Sequence, residues 1–159
     1  MLSAIIALYQ TIRFLVGFMA QFHLAIPIHN IEVARHFYEV ILGCPVGRTA
    51  ERWVDINFWE HQVSLHLVDT DLQSNPTNDV DADQVPVRHF GLILEWAEWE
   101  ALRDRLVDGE FATDIQWVIE PKIRFVGEVG EQATMFIRDP SNNCLEFKSF
   151  KEMSQVFAY

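Results

Sequence analysis

The chain has 159 residues, which suffices for one domain or for two small repeated modules that share a core. Half of the residues are hydrophobic, so a buried core is expected and extensive disorder is excluded. The formal net charge of -11, with no basic cluster, excludes nucleic acid as an expected partner. The two cysteines, Cys44 and Cys144, do not suggest a disulfide framework, so a cytoplasmic location is expected.

Residues 1–21 form an apolar extension that has only a weak likeness to a targeting signal. Arg13 interrupts the apolar run and no basic stretch precedes it. Gln10, Arg13 and Gly17 also argue against a membrane-spanning helix, so no membrane role is expected. The extension is either an added amphipathic helix or the product of an upstream start codon. Met19 lies three residues before the first predicted strand at Phe22, so we favour the upstream start codon.

Residues 22–68 predict a first βαβββ module. The segment FHLAIPI alternates between apolar and polar-tolerant positions, as a strand does. Asn30 is a suitable cap for a helix that Gly43 can end, and Ala34, Tyr38 and Ile41 recur at helical spacing within it. Three short segments rich in β-branched and aromatic residues follow and predict three strands.

The rest of the chain repeats this order after a break in composition. Residues 69–86 are acidic and polar, which predicts a solvated linker or mobile loop. Residues 87–150 again show a strand, a helix and three strands, and residues 151–159 form a tail. The predicted fold is therefore α+β, built from two βαβββ modules.

Four ionisable residues occupy matching places in the two predicted modules. His23 and His66 lie in the first and last strands of module one, and His89 and Glu146 lie in the corresponding strands of module two. His23, His66 and Glu146 each lie between apolar residues, and His89 is followed by Phe90, so each side chain should lie on the opposite face from these neighbours. We expect the four side chains to converge on one metal site.

Simpler interpretations exist for each of these residues. A strand histidine is typically half-buried and hydrogen-bonded, and Glu146 can pair with Lys148 on the same face. The equivalent placement in a repeat favours the joint metal hypothesis. Arg124, beside the glycine-rich stretch GEVGE, is a candidate for binding an anionic substrate, or part of an ordinary hairpin. Asn57 and Trp59 are candidate substrate contacts, or simply exposed edge-strand residues.

The segments FHLAIPIHNIEVARHFYEVILG and MFIRDPSNNCLEFKSF carry a family resemblance. They resemble the opening strand and helix, and the closing Asp-Pro-turn-Leu-Glu-Phe element, of the vicinal oxygen chelate superfamily of glyoxalases, bleomycin resistance proteins and extradiol dioxygenases. The resemblance covers about residues 22–150. It implies a curved mixed sheet around a metal-binding cup, with His23, His89 and Glu146 as the metal ligands.

The resemblance also implies a class of chemistry. Two histidines and one carboxylate suit Fe(II), with Zn(II), Ni(II), Co(II) or Mn(II) as alternatives, and His66 is either a fourth ligand or an acid or base. Glu146 and His66 are the expected catalytic residues. A dioxygenase acting on a small oxygenated metabolite is favoured; a glyoxalase-type lyase or isomerase and a non-catalytic binding protein are the alternatives. Short relatives often complete their cups across a homodimer, so a homodimer is expected.

Overall fold

The computed structural model describes residues 20–70 and 75–158. The first module begins with strand β1, His23–Ile28, and a helix α1, Ile31–Arg35, that continues as a π-helical turn, His36–Ile41. Asn30 caps the helix by accepting a hydrogen bond from the backbone of Val33, and Gly43 follows it with a φ of 76°. Strands β2, β3 and β4 complete the module at Val46–Ala50, Trp53–Phe58 and His61–Leu67.

The second module has the same order. Strand β7, His89–Ile93, leads into helix α2, Trp96–Asp108, whose first turn is closed by a capping box between Glu95 and Glu98. Strands β8, β9 and β10 occupy Gln116–Arg124, Gln132–Arg138 and Cys144–Phe150. Short 3-10 turns lie at Ala112–Asp114 and Met153–Gln155.

Each module forms a four-stranded mixed sheet. The strand orders are β1-β4-β3-β2 and β7-β10-β9-β8, and in both sheets the first and last strands of the module pair in parallel. The first and last strands of each module are therefore neighbours, and β1 and β7 each lie at the edge of their own sheet.

The two modules share one hydrophobic core. Apolar residues from both sheets and both helices form a single buried cluster, and Phe58 of module one lies 6.1 Å from Phe147 of module two between ring centroids. Side chains alternate along a strand, so the intervening residues of each sheet face away from this core. We call that second surface the outer face of each sheet.

A polar junction also joins the modules at the Asp-Pro turn. The buried carboxylate of Asp139 accepts a hydrogen bond from the Tyr38 hydroxyl at 3.0 Å, and the Asn143 side chain donates to the carbonyl of Pro27 at 2.9 Å. The turn that carries much of the sequence resemblance thus has a structural role at the junction.

Part of the expected solvated linker is ordered. Strands β5, Thr77–Val80, and β6, Asp83–Pro86, form a hairpin over the outer face of module two. Val85 is buried there against Ile119, Phe136 and Cys144. The acidic composition of this segment concealed the hairpin, because its one large buried side chain is too little apolar signal to predict packing.

None of the helices in residues 20–70 and 75–158 has the length and apolarity needed to cross a membrane. The interpretation of the amino-terminal extension concerns mainly residues 1–19, which lie outside the described residues.

Candidate functional site

His89 and Glu146 meet on the outer face of module two. Strands β7 and β10 pair in register so that His89 lies opposite Cys144 and Gly91 lies opposite Glu146. Nε2 of His89 is 3.3 Å from Oε2 of Glu146, and the Glu146 side chain is only 8% exposed. Two of the three residues expected to bind a metal are therefore in contact.

Both side chains are held in place from behind. Nδ1 of His89 lies 2.5 Å from the carbonyl of Pro86, which can only accept, so Nδ1 carries the proton. The hydroxyl of Thr134 donates to Oε1 of Glu146 at 2.9 Å. These two contacts leave Nε2 of His89 and Oε2 of Glu146 as the atoms that face each other, an arrangement typical of oriented metal ligands.

The electrostatics favour ionised Glu146. Burial raises the pKa of Glu146, but the hydrogen bond from His89, the charge of Lys148 and the Thr134 hydroxyl outweigh burial, so the net pKa lies below its usual value. The hydrogen bond to Glu146 raises the pKa of His89; burial opposes this rise and the Pro86 carbonyl adds to it. Without a metal ion, the pair shares a proton that a divalent cation can replace.

Close packing of the backbone requires a glycine beside this pair. A Cβ on Gly91 would lie 1.6 Å from the carbonyl oxygen of Glu146. Only glycine allows β7 to approach β10 this closely. The close approach of the two strands positions His89 relative to Glu146.

Three further cations lie on the same outer face. Lys148 contacts Oε2 of Glu146 at 3.3 Å, which realises the pairing considered from sequence. Arg124 and Lys122 both contact Oδ2 of Asp83 in the hairpin, at 2.7 and 2.9 Å. The Arg124 side chain is 3% exposed, so the proposed anion-binding residue is enclosed and already paired with an acid of the same chain.

His23 lies on the outer face of module one, away from any recorded contact with His89 or Glu146. In register it stands opposite Gln62, and Gln62 stands opposite Asn57. The next row of this face contains Asp55 and Ser64, both buried. Asp55 accepts hydrogen bonds from Arg48, Gln62 and Ser64, a network that sequence reasoning missed.

The other predicted site residues are dispersed. His66 is exposed and pairs with Pro27 and Trp53, four residues along β4 from Gln62, or about 13 Å at the rise of a strand. Asn57 is exposed and accepts a hydrogen bond from the backbone of Glu60. Strand β3 ends at Phe58, so Trp59 does not share the outer face; its ring packs 5.7 Å from that of Phe147 in the shared core.

No group of three or more His, Cys, Asp or Glu side chains able to hold a metal ion occurs within residues 20–70 and 75–158 of one chain. The His89 and Glu146 pair nevertheless fits as part of such a site. Two ligand atoms at about 2.1 Å from one ion and about 90–110° apart lie roughly 3.0–3.4 Å from each other. The 3.3 Å separation of Nε2 and Oε2 falls in this interval.

Two cavities meet at His89. A small one of about 230 Å³ is lined by His89, Glu146 and Lys148 together with Gly91 and its neighbours in β7. A cleft of about 390 Å³ lies between β1 and β7 and includes Leu24, Ile26 and Phe90 as well as His89. The candidate ligands are therefore reachable by a small molecule.

Thr134 and Pro86 are the site residues that sequence reasoning missed. Pro86 precedes His89 by three residues, so its carbonyl was a local candidate for fixing the ring. Thr134 would have followed from pairing β9 with β10 across the short turn at residues 139–143, because the register places it beside Lys148 and one row from Glu146. The position of Thr134 beside Glu146 is not readable without the strand register.

Comparison with known proteins identifies the fold. No protein-family model matches the sequence, and no curated protein matches it with significant similarity. Among solved structures, a glyoxalase/bleomycin resistance protein/dioxygenase from Alicyclobacillus acidocaldarius is 28% identical with a TM-score of 0.72, and the match covers 87% of this chain and 96% of that one.

Two more distant structures share the fold. The fosfomycin resistance protein FosX from Listeria monocytogenes has a TM-score of 0.61 at 11% identity, covering 87% of this chain and 98% of that one. Lactoylglutathione lyase from Agrobacterium tumefaciens has a TM-score of 0.56 at 15% identity, covering 88% and 97%. These matches confirm the predicted α+β fold of two βαβββ modules and its resemblance to the vicinal oxygen chelate superfamily.

Proposed function

We propose that this protein is a metal-dependent enzyme that binds a small oxygenated metabolite to a divalent cation, Fe(II) by preference. The observation that carries the proposal is the contact between His89 and Glu146, two oriented donors facing one another beside a cavity. Burial of a carboxylate costs free energy unless the carboxylate is paired or binds a metal. Oε2 of Glu146 has only two contacts of 3.3 Å, with Nε2 of His89 and with Nζ of Lys148.

A third ligand comes, in this proposal, from His23 of a second copy of the chain. His23 is exposed on the outer face of β1, and no third donor joins His89 and Glu146 within the described part of one chain. The two modules of one chain turn their core faces toward each other. The outer face of module one and the cavity at His89 and Glu146, which the β5–β6 hairpin does not line, are therefore available to another subunit. We therefore propose a homodimer with the metal held between subunits.

The residues of the chain prepare this site for catalysis. A bound divalent metal supplies Lewis acidity, which stabilises negative charge on a chelated oxygen. Glu146 is kept ionised, Thr134 fixes its Oε1, and the Pro86 carbonyl fixes the ring of His89. His66 is left outside the proposed centre because its strand places it far from His23.

Ring-cleaving oxygenation is the favoured reaction, because two histidines and one carboxylate leave coordination positions for both substrate and dioxygen. Oxygen uptake with a panel of catechols, measured on Fe(II)-loaded protein, tests this choice. Uptake that requires both Fe(II) and a catechol supports it. Its absence with retained metal binding favours lyase or isomerase chemistry, which the shared fold with a lactoylglutathione lyase keeps as the second candidate. We place the enzyme in the cytoplasm, in keeping with its free buried cysteines.

Metal content is the first test of the proposal. Protein purified without a metal-affinity tag should bind one divalent ion per chain, and Glu146→Gln should lose it. Glu128→Gln is a matched control, because Glu128 is an exposed glutamate in the β8–β9 loop. Wild-type protein that binds neither Fe(II) nor Zn(II) would contradict the proposal.

A subunit-mixing experiment tests where the third ligand comes from. His23→Ala and His89→Ala proteins should each lack metal, whereas their mixed dimer keeps one intact site of two. Random exchange of equal amounts should therefore restore about a quarter of the wild-type metal content, because half of the dimers are mixed. No recovery after verified exchange would argue against a shared site.

A further inference from the structure

Lys148 and His89 compete for the same oxygen of Glu146. Nζ of Lys148 and Nε2 of His89 each lie 3.3 Å from Oε2, while Oε1 accepts from Thr134. Lys148 is half-buried, with a side chain 29% exposed, and it lines the small cavity beside both candidate ligands. Its position thus places a positive charge at the edge of the proposed metal centre.

A metal ion at Oε2 would leave this charge without its counter-ion. In the described part of the chain, Glu146 is the only acid that forms a recorded ion pair with Lys148. Asp83, an acid of the hairpin over this face, is already paired with Lys122 and Arg124. An anion that enters the cavity with the metal would stabilise this half-buried ammonium beside the divalent cation.

We propose that Lys148 binds an anionic oxygen of the metal-bound substrate, so that the site selects negatively charged ligands over neutral ones of the same shape. This inference rests on the metal-dependent function proposed above and assigns its anion-binding residue. Lys148 takes the role that the sequence suggested for Arg124, because Arg124 is enclosed and already paired with Asp83. The ammonium donates charge-assisted hydrogen bonds to the oxyanion and restores local neutrality.

Three small ligands of nearly the same shape but different charge measure how far binding depends on the charge of the ligand. Oxalate, oxamate and oxamide are vicinal-dioxygen compounds with two, one and no negative charges at pH 7. Binding of each to Zn(II)-loaded protein is measured by calorimetry, after the affinity for Zn(II) alone has been determined. The metal itself favours oxalate over oxamide in every variant. The contribution of Lys148 is therefore the change in this preference when Lys148 is substituted.

We expect Lys148→Met to bind Zn(II) at least as tightly as wild type, because a competing cation has been removed. Its affinity for oxalate should fall roughly tenfold or more, that for oxamate less, and that for oxamide hardly at all. Lys148→Arg should retain most of the oxalate affinity. Lys151→Met, which removes an exposed lysine paired with Glu131, should match wild type.

The outcomes separate the two proposals. Unchanged preference for oxalate in Lys148→Met, with Zn(II) still bound, overturns the role of Lys148 and leaves the metal site standing. Absence of Zn(II) binding in the wild type overturns both. If Lys148→Met does not fold, Lys148→Gln keeps a polar chain of similar length, and it should lose oxalate preference in the same way.

Discussion

The outer faces of the two modules each bury one carboxylate, and the two carboxylates differ in how fully they are satisfied. Asp55 of module one receives a hydrogen bond from Ser64 on Oδ1 and bonds from Arg48 and Gln62 at 3.0 and 2.9 Å on Oδ2. Glu146 of module two has one short bond, from Thr134, and two looser contacts at 3.3 Å. The two equivalent sheets thus hold one carboxylate whose oxygens are both well hydrogen-bonded, Asp55, and one whose Oε2 has only long contacts, Glu146.

From this difference we expect a structural role for Asp55 and propose a functional one for Glu146. Burial raises the pKa of Asp55, but hydrogen bonds from Ser64 and Arg48 outweigh it and lower the net pKa, so the acid is ionised and fully bonded. Asp139 at the module junction is also surrounded by donors, from Tyr38, Ser141 and Asn143. Among these three carboxylates, Glu146 alone has an oxygen, Oε2, whose contacts are both as long as 3.3 Å.

The largest effect is expected on Zn(II) affinity when the charge of Glu146 is removed. Glu146→Gln should reduce Zn(II) affinity by more than about 100-fold, beyond the range typical for residues that only support a ligand. Asp55→Asn should leave Zn(II) affinity within a few-fold and instead reduce the free energy of unfolding by about 1–3 kcal/mol. Calorimetry and urea denaturation measure the two quantities. Equal loss of metal binding in both variants would break the comparison.

The next effect concerns the backbone that supports Glu146. Gly91→Ala would place Cβ 1.6 Å from the Glu146 carbonyl oxygen, and we expect about 3 kcal/mol or more of destabilisation as the strands separate. Gly127→Ala is the control, because its Cβ would meet nothing within 4 Å and only the positive φ of 78° opposes it. That control should lose about 1–2 kcal/mol. Urea unfolding that shows equal losses would refute the close approach.

A smaller effect is expected at the junction. Tyr38→Phe removes the hydroxyl that donates to buried Asp139 at 3.0 Å, and should cost about 1–2 kcal/mol of unfolding free energy without altering Zn(II) affinity. The measurement pairs urea denaturation with metal titration. A large loss of Zn(II) binding in Tyr38→Phe would show that Asp139, at the junction of the modules, also supports the metal site.

The smallest effect is a change in pH dependence. Burial raises the pKa of Asp139 despite the opposing hydrogen bonds from Asn143, Tyr38 and Ser141. The folded state therefore holds this proton more tightly than the unfolded state. Stability from this group is complete below the ordinary aspartate pKa of about 3.9 and declines as pH rises through the raised pKa.

Asp139→Asn should remove this decline. The difference in unfolding free energy between wild type and variant, measured by urea denaturation from about pH 3.5 to 7, should shift in favour of the variant as pH rises. The difference is the quantity to follow, because carboxylates with lowered pKa, such as Asp55 and Glu146, act in the opposite direction in both proteins. A pH-independent difference would count against a raised pKa for Asp139.

The order and bounds of the main elements were readable from sequence because each has a local cause. Asn30 and Gly43 delimit the first helical segment, and apolar alternation marks β1, β7 and β10. The hairpin at residues 77–86 was not readable. It is held by Val85 and by Asp83 against β8, contacts between residues about 40 positions apart that no local pattern reveals.

The sequence by itself determined which residue types occupy the faces of the repeated strands, because alternation is a property of the strand. Tertiary structure decided which of them meet. It joined His89 to Glu146, placed Gln62 instead of His66 opposite His23, and enclosed Arg124 with Asp83. Strand register and packing arise from long-range contacts. A shift of one residue in the register would change every one of these pairings.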